Sequence, residues 1–210
     1  MANKFLRSNH WTGNYRASLI VIVIMFFFSF SYGQNNWGVR ASANLSKTVS
    51  SVYSSPNRLG FSTGIFVEKQ ITARIFVLED LGYSLKGSLA YNGSFNLKYL
   101  TSSTLLGWNG TSRLSILVGP EFGYLLQANY NSRGFKVIAT NEYKQWDIGL
   151  QGTVRYIVFR NWGFKYGYIH GLQNIQKSVI YFDNGYATID EKHNPKNYLH
   201  ELGVFVYPRK

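Results

Sequence analysis

His170 begins the set of side chains in this sequence that could do chemistry. Ser178 and Asp183 follow it, and the three could supply a base, a nucleophile and an orienting acid to a lipid-directed enzyme. The alternative is a histidine at the membrane interface without a catalytic partner. This interpretation is simpler, because it does not require the three residues to meet. His193 lies in an acidic and polar stretch, where a lone histidine is a weak metal-ligand pattern. We therefore expect no catalytic residue, no metal and no cofactor.

Cysteine is absent from the sequence, which excludes disulfides, thiol catalysis and cysteine-ligated zinc. No glycine-rich loop joins a strand to a helix, so a nucleotide-binding loop has no support. The net charge of +12 would suit either nucleic acid or the anionic headgroups of a membrane. The strand pattern favours the membrane, and we expect no nucleic-acid partner.

Charged side chains keep to one phase of an apolar–polar alternation that recurs after residue 34. Nine of them stand opposite the apolar residues of their segments: Arg40, Glu68, Asp80, Lys86, Glu121, Asp147, Arg155, Lys165 and Glu201. Opposite charges in a confined space should pair, because an unpaired buried charge is costly. The sequence therefore predicts an ionic network. Glu79 breaks the phase, and we expect a β-bulge or a shifted register there.

Eight segments show this alternation of period two, which is typical of β-strands. In the sixth segment, for example, Ile148 and Leu150 share one face while Asp147 and Gln151 share the other. Aromatic residues make up 17% of the chain, and they favour strands. We predict an all-β fold, an eight-stranded antiparallel up-and-down transmembrane β-barrel with the charged face inside.

Tryptophan falls on the apolar face at the end of a segment in all four cases after residue 34. Indole is apolar in its body and polar at one N–H, so it suits a membrane–water interface. We expect interfacial aromatic girdles that contain these four side chains: Trp37, Trp108, Trp146 and Trp162.

The connections between the segments alternate in length. Short turns are predicted at 70–74, 109–113 and 159–161, and longer polar loops at 46–58, 87–96, 128–145 and 174–197. Outer-membrane barrels have short periplasmic turns and long extracellular loops. A secreted barrel with an apolar ligand pocket is the alternative, but it offers no natural place for tryptophan at the strand ends.

The leader at 1–33 has basic residues, then an apolar run at 19–30, then small residues before Gln34. This order is typical of a cleaved signal peptide. The run is short for a helix that crosses about 30 Å of hydrocarbon, although an uncleaved anchor is the alternative. We expect the barrel domain to comprise residues 34–210.

Four sequence motifs resemble the bacterial outer-membrane β-barrel domain family, whose members are small, porin-like barrels with cleaved signals. The motifs lie at 83–87 (YSLKG), 118–126 (VGPEFGYLL), 171–175 (GLQNI) and 202–207 (LGVFVY). The resemblance implies an outer-membrane location and no established catalytic site. Such barrels usually end on an aromatic residue, whereas this chain continues past Tyr207. Either Tyr207 acts as the assembly signal from an internal position, or insertion is less efficient.

The predicted function is non-catalytic: a barrel in the cell outer membrane with a lumen closed by ionic side chains, presenting extracellular loops for binding. The alternatives are a narrow, porin-like solute channel and a lipid-modifying enzyme. The expected partners are membrane lipid and lipopolysaccharide, the barrel-assembly machinery during insertion, and an extracellular ligand that the sequence does not identify.

Overall fold

A computed structural model describes residues 35–50, 54–90, 93–132, 135–177, 179–183, 186–190 and 195–208. The predicted leader at 1–33 lies outside them. The described residues form these strands: β1 (Asn35–Val49), β2 (Arg58–Gln70), β3 (Ile75–Ala90), β4 (Gly93–Asn109), β5 (Leu114–Ser132), β6 (Phe135–Ile138), β7 (Trp146–Phe159), β8 (Trp162–Gly171), β9 (Val179–Asp183), β10 (Tyr186–Asp190) and β11 (Lys196–Val206).

Eight of these strands close into one antiparallel barrel in the order β1, β2, β3, β4, β5, β7, β8 and β11. The last strand pairs back onto the first, as in Ala43 with Leu202. The predicted eight-stranded antiparallel barrel is confirmed. The short strand β6 extends the sheet from β5, and β9 pairs with β10 in a separate hairpin. No helix among the described residues is long and apolar enough to cross a membrane.

Alternation along each strand separates an apolar outside from a polar inside. Leu45 and Leu150 are each about half exposed, whereas Asn44 and Lys86 are completely buried. A soluble barrel would have the opposite polarity, with an apolar lumen and a wet exterior. The charged lumen therefore rules out the alternative of a secreted barrel with an apolar ligand pocket.

The two ends of the barrel differ. The short-turn end carries the turns at 71–74, 110–113 and 160–161, and the opposite end is the long-loop end. Two of the short turns share one geometry: the Thr72 hydroxyl accepts the N–H groups of Arg74 and Ile75 at 3.3 and 3.0 Å. Thr111 makes the equivalent bonds at 3.2 and 3.0 Å. A threonine two residues before the basic residue thus fixes the chain reversal.

The predicted loop boundaries at the long-loop end are wrong in part. The predicted loop at 87–96 is mostly strand, because β3 continues to Ala90 and β4 begins at Gly93. Similarly, β5 runs on to Ser132 and pairs with β6 inside the predicted loop at 128–145. Beyond the membrane, the backbone hydrogen bonds between neighbouring strands continue, although no lipid selects apolar side chains there. The strands therefore extend beyond the end of the alternation that reveals them.

Glu79 lies on the outer face, and the bulge expected there is absent. Its pairings with Val67 on β2 and Thr104 on β4 belong to continuous registers. The register shifts in the described ladders fall elsewhere, at 98/99 on β4 and at 157/159 on β7. Glu79 is accommodated outside because its Oε2 accepts the Thr104 hydroxyl at 2.8 Å.

Candidate functional site

The lumen contains all nine charged residues that the sequence assigned to the ionic network, and each is less than a tenth exposed. Arg40 on β1 binds Asp80 on β3 through two nitrogens, with Nε–Oδ2 at 2.5 Å and Nη2–Oδ1 at 2.6 Å. β2 separates these strands and places Gly64 beside Arg40. Glycine allows the guanidinium to cross, since no side chain of β2 stands in its path at that level.

Glu201 joins a second part of the network. Its Oε2 accepts Lys165 Nζ at 2.7 Å, and its Oε1 accepts the Ser62 hydroxyl at 2.6 Å. Arg40 Nη1 lies 3.9 Å from the same carboxylate. One acid of the last strand therefore connects residues on β1, β2 and β8.

Lys86 forms a separate centre nearer the long-loop end. Its Nζ lies 2.7 Å from Glu121 Oε1 and 3.3 Å from Asp147 Oδ2, between two carboxylates. Asn197 Nδ2 donates to the same Asp147 oxygen at 2.8 Å, and the Tyr99 ring lies 5.1 Å from the ammonium. A buried ammonium with two acids and an aromatic face is well compensated.

Arg155 occupies the short-turn half of the lumen. Its Nη2 donates to Glu68 Oε2 at 2.7 Å, and the hydroxyl of Tyr207 donates to the same oxygen at 2.9 Å. Burial raises the pKa of the Tyr207 phenol, which follows β11; the Arg155 cation opposes the shift and Glu68 adds to it. Three phenyl rings surround the guanidinium at 5.1–5.8 Å: Phe66, Phe76 and Phe205.

Apolar clusters lie at both ends of the charged region. Towards the long-loop end they comprise Leu97, Tyr99, Leu125, Ala128, Ala139, Tyr143 and Ile175. Towards the short-turn end they comprise Phe66, Phe76, Leu78, Leu105, Leu117 and Phe205. Between the charges and the second cluster lies a small cavity of about 20 Å³, room for about one water molecule, lined by Arg40, Gln151 and Arg155 among others. Arg155 Nε and Nη1 have no hydrogen-bond partner in the described residues.

Ser62, Asn197 and Tyr207 belong to this network but were missed at the sequence level. Each has the phase of the charged residues in its own strand, with Tyr207 two positions beyond Phe205. Their period-two spacing could have identified them. Their chemistry could not, because serine, asparagine and tyrosine side chains also occur on solvated strand faces.

The tryptophans divide unevenly between the two ends. Trp37, Trp108 and Trp162 lie at the short-turn end, and Trp146 lies at the long-loop end. Trp37 is 52% exposed and Trp108 is 47% exposed, so each presents about half of its surface outside the barrel. Their role as a girdle at the membrane interface stays a prediction.

His170 lies on the outer face of β8, with its ring 4.8 Å from that of Tyr198. Ser178 and His193, as well as the side chain of Asp183, lie outside the described residues. Among the described residues, no three histidine or acidic side chains come together as a metal site. The described part of the chain thus supplies no assembled triad around His170.

A family model described as an outer membrane protein beta-barrel domain matches residues 28–177. No curated protein matches the chain. Among solved structures, the chain resembles Neisserial surface protein A (NspA), with a TM-score of 0.53 and 20% identity over 83% of this chain and 99% of that one. It also resembles Ail, the attachment invasion locus protein of Yersinia pestis, with a TM-score of 0.51 and 12% identity over 84% and 100% of the respective chains. At these identities the likeness concerns the fold.

Proposed function

Because this chain belongs to the outer membrane protein beta-barrel domain family and lies in the cell outer membrane, we propose that it is a non-catalytic barrel with a closed lumen. It acts through the surface of its long-loop end, which faces the cell exterior. Residues 1–33 direct export and are removed. Insertion uses the barrel-assembly machinery.

The observation that carries the closed lumen is the pairing of the nine charged side chains of its ionic network. All nine take part in ion pairs, including Lys86–Glu121, Arg155–Glu68 and Lys165–Glu201. An eight-stranded barrel has an interior just wide enough for side chains to fill. A passing ion would have to separate these pairs and displace the apolar clusters.

Single-channel recording in planar bilayers tests this proposal. We expect no stable unitary conductance from the purified protein. A triple variant that truncates the three phenylalanines of the short-turn cluster (Phe66→Ala, Phe76→Ala and Phe205→Ala) serves as the control for detection. Reproducible unitary steps from the unmodified protein would refute the closed lumen.

β6 supports binding at the long-loop end. Phe135 is 78% exposed, Val137 57% and Ile138 69%, and among the described residues β6 pairs on one edge only, with β5. Exposed apolar side chains on a free strand edge are typical of a recognition surface. Such a surface suits a polysaccharide, a lipid or a partner protein.

The orientation can be tested with introduced cysteines, since the chain has none of its own. Lys136→Cys on β6 should react with a membrane-impermeant maleimide on intact cells. Ala73→Cys, in the turn between β2 and β3, should react only after lysis. The reverse pattern would place the long loops inside the cell envelope and contradict the proposal.

A narrow solute channel is the second candidate, favoured by the polar wall of the small lumen cavity beside Arg155, which has room for about one water molecule. Two unpaired N–H donors on its wall could contact a small polar solute. The conductance measurement separates this candidate from the first. A lipid-modifying enzyme requires esterase or deacylase activity that His170→Ala abolishes, and we expect no such activity.

A further inference from the structure

A cluster of basic and aromatic side chains lies on the outside of the barrel, near the long-loop end. One row crosses three strands as Lys47 on β1, Tyr198 on β11 and His170 on β8. The next row towards the membrane contains Leu45, His200 and Tyr168. A cleft of about 440 Å³ opens here, lined by Lys47, Val49, Tyr168, Tyr198 and His200. We call it the Lys47–His200 cleft.

The rings around His200 fix its orientation. Tyr168 packs against it with ring centroids 4.9 Å apart, and the Tyr166 hydroxyl lies 2.9 Å from His200 Nδ1. When Nδ1 accepts a hydrogen bond from that hydroxyl, the neutral imidazole carries its proton on Nε2. His200 then presents an N–H donor that Tyr166 does not use.

Among the described residues, the charge of this surface is positive and uncompensated. Lys47 and Lys196 both point outward, and neither makes an ion pair with a described residue. No acidic side chain occupies an outward position in β1, β8 or β11. The four cations of the lumen ionic network, by contrast, each have a carboxylate partner, so this surface is suited to an external anion.

The position of the cleft limits what that anion can be. Leu45 and Leu202, 47% and 65% exposed, continue the same face towards the middle of the barrel. A ligand that contacts both the basic and the apolar part of this face has an anionic head beside Lys47 and hydrocarbon beside the two leucines. A soluble anion would use only the first part.

We propose that the Lys47–His200 cleft binds the phosphate-bearing headgroup of an outer-leaflet lipid, with the acyl chains along Leu45 and Leu202. Lys47 supplies the charge, His200 Nε2–H and the Tyr198 hydroxyl supply donors, and Lys196 adds to the positive potential. The assignment to the outer leaflet rests on the proposed orientation of the barrel. The binding chemistry does not.

Native mass spectrometry of the full folded chain in detergent tests the proposal, with bisphosphorylated lipid A, its dephosphorylated form and inorganic phosphate as probes. We expect at least about tenfold preference for the phosphorylated lipid, since two phosphates face two lysines. Lys47→Gln should weaken its binding about fivefold, as expected for one lysine at an anionic surface. His200→Gln should weaken it further when combined with Lys47→Gln.

Lys98→Gln is the matched control. Lys98 lies on β4, near the long-loop end but outside the cleft, and pairs with Leu85 of β3. It should leave binding unchanged. Equal binding of the two lipid forms, equal loss in Lys98→Gln, or inorganic phosphate binding as tight as lipid A would overturn the proposal. A heat-modifiability gel confirms that each variant is folded. Failure of the proposed function would be seen separately, in the conductance and cysteine-labelling experiments.

Discussion

Arg40 and Asp80 bind each other across an entire strand. Their side chains meet over β2, where Gly64 pairs with Arg40 on one side and with Gly82 of β3 on the other. A Cβ atom at Gly82 would lie 2.7 Å from Arg40 Nη2. The two glycines and the ion pair therefore form one structural unit, in which small wall residues leave room for a guanidinium.

Replacing Arg40 with methionine should destabilise the barrel by about 3–5 kcal/mol, because Asp80 then stays buried without its partner. Urea unfolding in lipid vesicles, followed by gel mobility without heating, measures the change. The double variant Arg40→Met/Asp80→Leu should regain much of the loss. If the double variant lost as much stability as the two single variants together, the pair would not act as a unit.

Gly82→Ala should destabilise the barrel by about 1–3 kcal/mol, since the added methyl group would lie 2.6 Å from the Thr63 carbonyl oxygen and 2.7 Å from the Arg40 guanidinium. Gly152→Ala is the control, because a Cβ atom at Gly152 meets nothing within 4 Å. Thermal unfolding of the two variants should separate them clearly. Equal transition temperatures would mean that the β2 backbone at Thr63 and the Arg40 side chain shift to admit the methyl group without loss of stability.

The alternation in the sequence was sufficient to place the nine network charges on the lumen side of the wall. Arg40, Lys86 and Arg155 all face the lumen, because a period of two leaves only two choices for each strand. It was not sufficient to predict partners. The pairing of Arg40 with Asp80, rather than with a residue on adjacent β2, depends on the stagger of strands around a closed barrel.

The ends of the strands were harder to predict than their middles. Ser88, Ser94 and Asn96 lie in β3 and β4, yet they look like loop residues because no lipid selects apolar neighbours beside them. Glu79 misled in another way. A single carboxylate on the lipid side suggested a shifted register, and the Thr104 hydroxyl that receives it is distant in sequence.

Glu79→Leu should stabilise the barrel by about 1 kcal/mol, because a carboxylate on the lipid face costs less than a basic residue but still carries a penalty. Glu79→Gln should fall between Leu and the natural residue, since it keeps a polar group beside Thr104 without the charge. Equilibrium unfolding in neutral phosphatidylcholine vesicles measures all three proteins. A less stable Glu79→Leu variant would indicate a favourable outer contact for the carboxylate.

Tyr207→Phe should lower the stability by about 1.5–3 kcal/mol at pH 7, because Glu68 loses a hydrogen bond from the phenol while the ring keeps its packing. The difference between the two proteins should shrink as the pH rises above about 10, the ordinary pKa of tyrosine. Burial raises the pKa of Tyr207 in the folded state, so the unfolded chain loses this proton first and the stabilisation falls.

Unfolding free energies of both proteins between pH 7 and 11 provide the test. The phenylalanine variant controls for the titration of every other group. A difference that stays constant across this range would contradict a protonated phenol bound to Glu68. Tyr207→Ala should lose more stability than Tyr207→Phe, since the ring also packs 5.4 Å from Phe66 and 5.7 Å from Phe205. Equal losses in the two variants would assign the whole effect to the hydroxyl.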